Sequence, residues 1–144
     1  MVYFDTAYML KCYLNEPGAA AVRDVARAAA GLASSEFACA EFFSGLHRHR
    51  QENRLSDRAI GRVIEWFDSD RDSGVWNFFP VSPEIIQDVR QAFLAMPGTM
   101  RLRAGDAVHL ATARKLGLKA IYTNDRNLLL AADHFGLEAR NVIE

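Results

Sequence analysis

Met1-Val2-Tyr3-Phe4-Asp5-Thr6 opens the chain with a short apolar run that stops at a carboxylate, and Ala120-Ile121-Tyr122-Thr123-Asn124-Asp125 repeats the pattern far downstream. Short apolar runs bounded by polar residues read as strands buried on both faces, the habit of a parallel sheet. A carboxylate just past the C-terminal end of such a strand lies where open α/β sheets place their ligands. Working outward, helical patterns are expected over 6–15, 19–30, 37–51, 56–70, 83–96, 104–116 and 126–135, and further strands over 31–35, 75–81 and 137–142. Glu16-Pro17-Gly18 breaks the first helix, Ser56 caps the fourth, Ser82-Pro83-Glu84 opens the fifth, and Gly117 and Gly136 close the last two. Strands alternating with helices predict an α/β fold: a three-layer α/β/α sandwich around a central parallel sheet.

Composition narrows the class. The chain has 144 residues, half of them hydrophobic, which predicts one domain spanning 1–144 with a substantial core. Net charge is −1, so no global basic field points to nucleic acid and local clustering has to carry that argument. No stretch is long and apolar enough to span a bilayer, and the start lacks the charged and apolar regions of an export signal, so a cytoplasmic protein is expected. Cys12 and Cys39 show no zinc spacing and read as buried free thiols.

Helices between parallel strands run antiparallel to them, so helix N-termini lie at the strands' C-terminal edge. This topology brings Asp5, Glu41, Asp106 and Asp125 to one edge, each from a different segment. Two unit charges about 4 Å apart cost roughly 4 kcal/mol at an effective dielectric near 20, so a fold that gathers carboxylates does so to hold a cation. Oxygen ligands suit Mg²⁺ or Mn²⁺, and such a site suits phosphodiester hydrolysis. Each acid also has a plainer reading: Asp5 and Asp125 as helix caps, Asp106 as a charge at a helix start, Glu41 as a solvated helix position. His109 is expected as a satisfied core histidine rather than a ligand, and Thr6 and Thr123 offer hydroxyls to the carboxylates.

These stretches carry a resemblance. Tyr3-Phe4-Asp5-Thr6-Ala7-Tyr8-Met9-Leu10 and the residues on to Gly18 resemble the opening of PIN-domain ribonucleases of the VapC toxin type. Ser35 followed by Glu41, then Leu102-Arg103-Ala104-Gly105-Asp106-Ala107-Val108-His109-Leu110-Ala111-Thr112-Ala113, then Thr123-Asn124-Asp125-Arg126-Asn127-Leu128, are similar to the later family motifs, in order and along nearly the whole chain. The resemblance implies a PIN-like sandwich and Mg²⁺- or Mn²⁺-dependent RNA cleavage. It also implies the toxin role of a toxin–antitoxin pair, as a homodimer held by a small cognate antitoxin. By position it makes Asp5, Glu41, Asp106 and Asp125 the acidic site, with Asp5 and Asp106 the most direct ligands. Two departures stand out: Ala7 occupies a position where the family often has Ser, and the segment 31–35 is poor in β-branched residues.

RNA requires positive charge near the acids. Arg101 and Arg103 precede Asp106 and are the candidate phosphate contacts; His47, Arg48, His49, Arg50, Arg54, Arg58 and Arg62 form a second group that reads equally as a solvated helix face. Trp66 and Trp76 are expected in the core rather than stacked on bases. Two other readings compete: a Mg²⁺-dependent phosphatase, whose haloacid-dehalogenase form needs a second Asp where Ala7 stands, and an inactive module that only binds RNA or a partner.

Overall fold

A computed structural model describes residues 1–143. Five parallel strands, β1 (Val2–Tyr3), β2 (Leu32–Ser35), β3 (Trp76–Phe79), β4 (Ala120–Tyr122) and β5 (Glu138–Arg140), form two ladders, β1-β2-β3 and β4-β5. A single parallel bridge, Phe4 to Tyr122, joins them, reinforced by the Asp5 amide donating to Tyr122 O at 3.2 Å. The strand order is therefore 3-2-1-4-5, and the chain reverses direction across the sheet between β1 and β4. In such sheets the crevice at that reversal, outside the strands' carboxyl ends, is where ligands bind.

Side chains alternate between two cores, as the two-residue period of a strand requires. Tyr3, Ala33 and Ile121 point to one face, where they pack with α5 (Pro83–Ala95), α6 (Ala104–Lys115), α7 (Arg126–Ala131) and the 3₁₀ turn Ala132–Phe135. Phe4, Leu32 and Trp76 point to the other, against α1 (Thr6–Tyr13), α2 (Ala19–Ala28), α3 (Phe37–Gln51) and α4 (Asp57–Asp72). The result is the expected three-layer α/β/α sandwich. The second core is aromatic: the Phe42 and Phe67 rings stack 4.5 Å apart, and Phe4, Tyr8 and Trp76 meet edge to face. Gly45 lets α1 and α3 approach; a Cβ there would fall 2.8 Å from Leu10 Cδ1.

Local signals explain the boundaries. Ser56 and Ser82 accept from the amides of Ala59 and Ile85 at 3.1 and 3.3 Å, and Pro83 follows Ser82 as the first helical residue. The segment 31–35, poor in β-branched residues, is nonetheless a central strand, paired on both sides. Its residues are small because helices press on both faces: Ala33, Ser34 and Ser35 are fully buried, and Ser34 donates to Phe4 O at 2.8 Å. The helix expected over 126–135 tightens into a 3₁₀ turn after Ala131, and the last strand is shorter than expected.

One expectation is corrected. Trp66 is 56% exposed rather than buried. With 3.6 residues per turn it projects more than a quarter-turn away from the stripe of Ile60, Val63, Ile64 and Phe67 that faces the core. Arg23 on α2 donates to the carbonyls of Lys11 and Leu14, at the C-terminal end of α1. Trp76 is buried, as expected, and donates to Tyr13 Oη at 2.7 Å. Neither thiol is activated: burial pushes Cys12 up to about 12 and raises Cys39 as well.

The stacked Phe42–Phe67 pair locates the weight of the aromatic core. Phe67→Ala is expected to cost about 3–5 kcal/mol in urea unfolding; a loss below about 1 kcal/mol would show that this layer is not packed as described.

Candidate active site

Asp5 and Asp125 are placed by the same device. Each follows a strand and caps the next helix: Asp5 Oδ1 accepts from the Tyr8 amide at 2.9 Å, and Asp125 Oδ1 accepts from the Asn127 and Leu128 amides at 2.8 and 3.0 Å. Capping occupies one oxygen of each. Thr123 links the pair: its hydroxyl donates to Asp5 Oδ2 and accepts from the Asp125 amide at 2.9 Å. Asp106 stands in the first turn of α6, where it accepts weakly from the Arg103 amide at 3.4 Å. Glu41 lies in α3 and reaches the same cleft from the opposite wall.

All four carboxylates line one open cleft of about 500 Å³ at the β1–β4 reversal, with Thr6, Ala7, His109, Arg48 and Arg103 among its other walls. The plainer capping roles of Asp5 and Asp125 are thus real and coexist with a place in the cleft. Arg101 does not line it; it lines a neighbouring depression. Arg48, one of a charge run in the sequence, lines the cleft through helix phase and packing that no local pattern records.

His109 is the residue whose connection the sequence did not reveal. It is 2% exposed and bonded on both ring nitrogens: Nε2 to Glu41 Oε1 at 2.8 Å and Nδ1 to Tyr3 Oη at 2.9 Å. Burial pushes the Tyr3 phenol far up, so it stays a neutral O–H donor. Nδ1 is then the acceptor, and Nε2–H donates to Glu41, a tautomer assigned from the network. Thr6 Oγ1 also donates to Glu41 Oε1, at 2.8 Å. Glu41 is thereby fixed through Oε1, while Oε2 lies beside Gly105, where a Cβ would approach it to 3.3 Å and Phe37 to 3.0 Å. His109 is the satisfied core histidine that was expected, and it also orients a cleft carboxylate.

The electrostatics divide the acids. Burial raises Asp5, aided by the charge of Asp125, against the bonds from Thr123 and Tyr8. Burial also raises Asp106, followed by the charge of Asp125. For Glu41 burial again pushes upward, but the hydrogen bonds from His109 and the Thr6 hydroxyl outweigh it, and the net shift is downward. None of Asp5, Asp106 and Asp125 forms a salt bridge among the described residues.

Such a donor set fits a hard divalent cation in kind: oxygen donors, clustered charge, and open space for water and substrate. Among the described residues no three acidic, His or Cys side chains form a preassembled metal-binding group. Mg²⁺ does not require one, because it takes one or two carboxylates, keeps several waters and completes its shell with substrate phosphate.

Fold and cleft together define an α/β/α protein with a carboxylate-lined cleft at the strand ends of a 3-2-1-4-5 sheet. The chain belongs to the PIN domain family, which it matches over residues 2–133. Among solved structures it is similar to the Mycobacterium tuberculosis toxin VapC20, described as cleaving the sarcin–ricin loop. The TM-score is 0.70 at 17% identity, over 91% of this chain and 95% of that one. No curated protein matches the sequence.

Two outcomes follow. Tyr3→Phe leaves His109 Nδ1 buried without a donor and should cost about 1–3 kcal/mol in urea unfolding; an unchanged midpoint would refute the network. Asp106→Asn should melt higher than the parent at pH 7 in chelator. The sign follows from linkage: a carboxylate raised on folding binds protons more tightly in the native state, so its charged form penalises the fold at neutral pH and the penalty fades as pH falls through the raised value. The gain should therefore shrink in acid. A lower melting point at pH 7 would contradict uncompensated charge at this position.

Proposed function

We propose that this chain is a divalent-metal-dependent endoribonuclease, the toxin of a VapC-type toxin–antitoxin pair. The observation that carries the reading is the cleft itself: four carboxylates at the topological reversal of the sheet, none of them paired with an arginine or lysine among the described residues. Family membership and the likeness to VapC20 support it. In this reading Asp5 and Asp106 hold Mg²⁺ or Mn²⁺ directly, and Glu41 and Asp125 act through water or toward a second ion. Bound metal supplies a lowered pKa for attacking water and neutralises charge on the leaving oxygen.

The chain's own residues do the rest. Thr123 keeps the Asp5 carboxylate turned into the cleft, and the Tyr8 amide fixes its other oxygen. His109 and Thr6 hold Glu41 ionised and oriented. Arg103, exposed at the N-cap of α6, and Arg48 on α3 flank the acids and offer guanidinium groups to an RNA phosphate. Arg101 contacts substrate outside the acidic cleft. A small antitoxin and a homodimer follow from the likeness to VapC toxins. The RNA substrate would be met in the cytoplasm; no helix among the described residues is long and apolar enough to cross a membrane. Ala7 lines the cleft where a dehalogenase-type phosphatase needs its second carboxylate, so that competing reading lacks its acid.

Purified protein should cleave single-stranded RNA in Mn²⁺ and leave a generic phosphomonoester untouched. Chelator should abolish the cleavage. Asp5→Asn should lower it about 100-fold or more, equivalent to roughly 3 kcal/mol of lost charge stabilisation. Cleavage that persists in chelator, or an Asp5→Asn variant of full activity, would sink the proposal.

A further inference from the structure

A second depression of about 490 Å³ is lined by Thr99, Met100, Arg101, Arg126, Asn127 and Leu130. It adjoins the acidic cleft at two independent places. Asp125 lines the cleft and its neighbour Arg126 lines the depression; Arg103 lines the cleft and Arg101, two residues earlier, lines the depression. Consecutive Cα atoms are 3.8 Å apart and two residues span at most about 7 Å, so the two openings share a rim along both segments.

The chemistry of the two differs. The cleft is acidic, whereas no acid lines the depression. Arg101 and Arg126 are both exposed, and neither is in a salt bridge among the described residues. Half of the other arginines are engaged elsewhere: Arg23 caps α1, and Arg27, Arg50, Arg54, Arg114 and Arg140 pair with acids. Beside the two guanidinium groups lie an apolar patch, Met100 and Leu130, and two neutral polar side chains, Thr99 and Asn127. Leu130 is 59% exposed, an apolar group that no neighbour covers. Paired cations, an apolar platform and an amide beside it match the parts of one nucleotide: phosphate, base face and base edge. The volume lies in the range of small-ligand sites.

We propose that this depression is a nucleotide subsite for single-stranded RNA, seating the nucleotide next to the scissile phosphate, with Arg101 and Arg126 on the backbone and Leu130 under the base. The inference rests on the ribonuclease reading and deepens it. It also divides labour among the arginines: Arg103 and Arg48 serve the reacting phosphate, while Arg101 and Arg126 serve the strand beyond it.

The test compares steady-state cleavage of a short single-stranded RNA in Mn²⁺ by the full chain, R101A/R126A, and R90A/K119A. Arg90 on α5 and Lys119 before β4 are exposed and line neither opening. For R101A/R126A, KM should rise about tenfold with kcat within about twofold, because two phosphate contacts are lost and the acids are untouched. The plot of log(kcat/KM) against log salt should become shallower by about 1.4, at roughly 0.7 per single-strand phosphate contact. R90A/K119A should match the parent in both. R101A alone, outside any helix, should give about half the change in slope and guards against a folding defect at the start of α7. If the parent cleaves RNA and R101A/R126A behaves as R90A/K119A does, the subsite is refuted and the ribonuclease reading stands. If the parent cleaves no RNA, both fall.

Discussion

The site depends on one narrow junction. β1 and β4 touch through a single bridge, Phe4 to Tyr122, continued by the Asp5 amide on Tyr122 O and by Thr123 on Asp5. Those contacts set two strand-end carboxylates side by side at the reversal of the sheet. They repel, and the fold bears that repulsion with neither of them in a salt bridge among the described residues. The aromatic packing of Phe4 against Tyr8, Trp76 and Tyr122 anchors the junction from below. Stability is thus invested in the layer beneath the cleft, while the cleft itself carries unfavourable charge. That division is the usual relation between a scaffold and a functional site that is destabilised in its unliganded form.

The four acids are not equivalent. Glu41 is kept ionised by a buried relay, Tyr3 to His109 to Glu41, that runs from β1 through α6 to α3 and ties three elements of the site together. Asp5 and Asp106 are pushed the other way, toward the neutral form, by burial and by neighbouring charge. A divalent ion would reverse that push, since a cation within a few ångströms favours the carboxylate. Gly105 has a specific part: it is the gap in α6 against which the Glu41 carboxylate and the Phe37 ring lie.

Much of this was legible in the sequence because strand ends and helix starts carry local marks. Apolar runs ending in Asp5 and Asp125, Ser-Pro at a helix start, and glycines at helix ends fixed the order of elements, and topology alone brought the acids to one edge. What escaped was set by phase and by long-range contact. Trp66 has the aromatic character of a core residue, but its angle from the Ile60–Phe67 stripe turns it to solvent. The bonds of Arg23 to the end of α1 depend on how two helices pack, which no local pattern records. Arg101 and Arg103 are indistinguishable two residues apart in the chain, yet they border different openings. The relay through His109 joins residues up to 106 positions apart, and no short-range pattern encodes it.

In the proposed function these carboxylates converge in order to share a divalent cation. Titration of Mn²⁺ into the full chain, following the free-ion signal by electron paramagnetic resonance, tests it without reference to any substrate. Saturable binding that is lost in Asp5→Asn and in Asp106→Asn is the result expected. Failure of the parent to bind Mn²⁺ at millimolar concentrations, or binding that both variants retain, would contradict it.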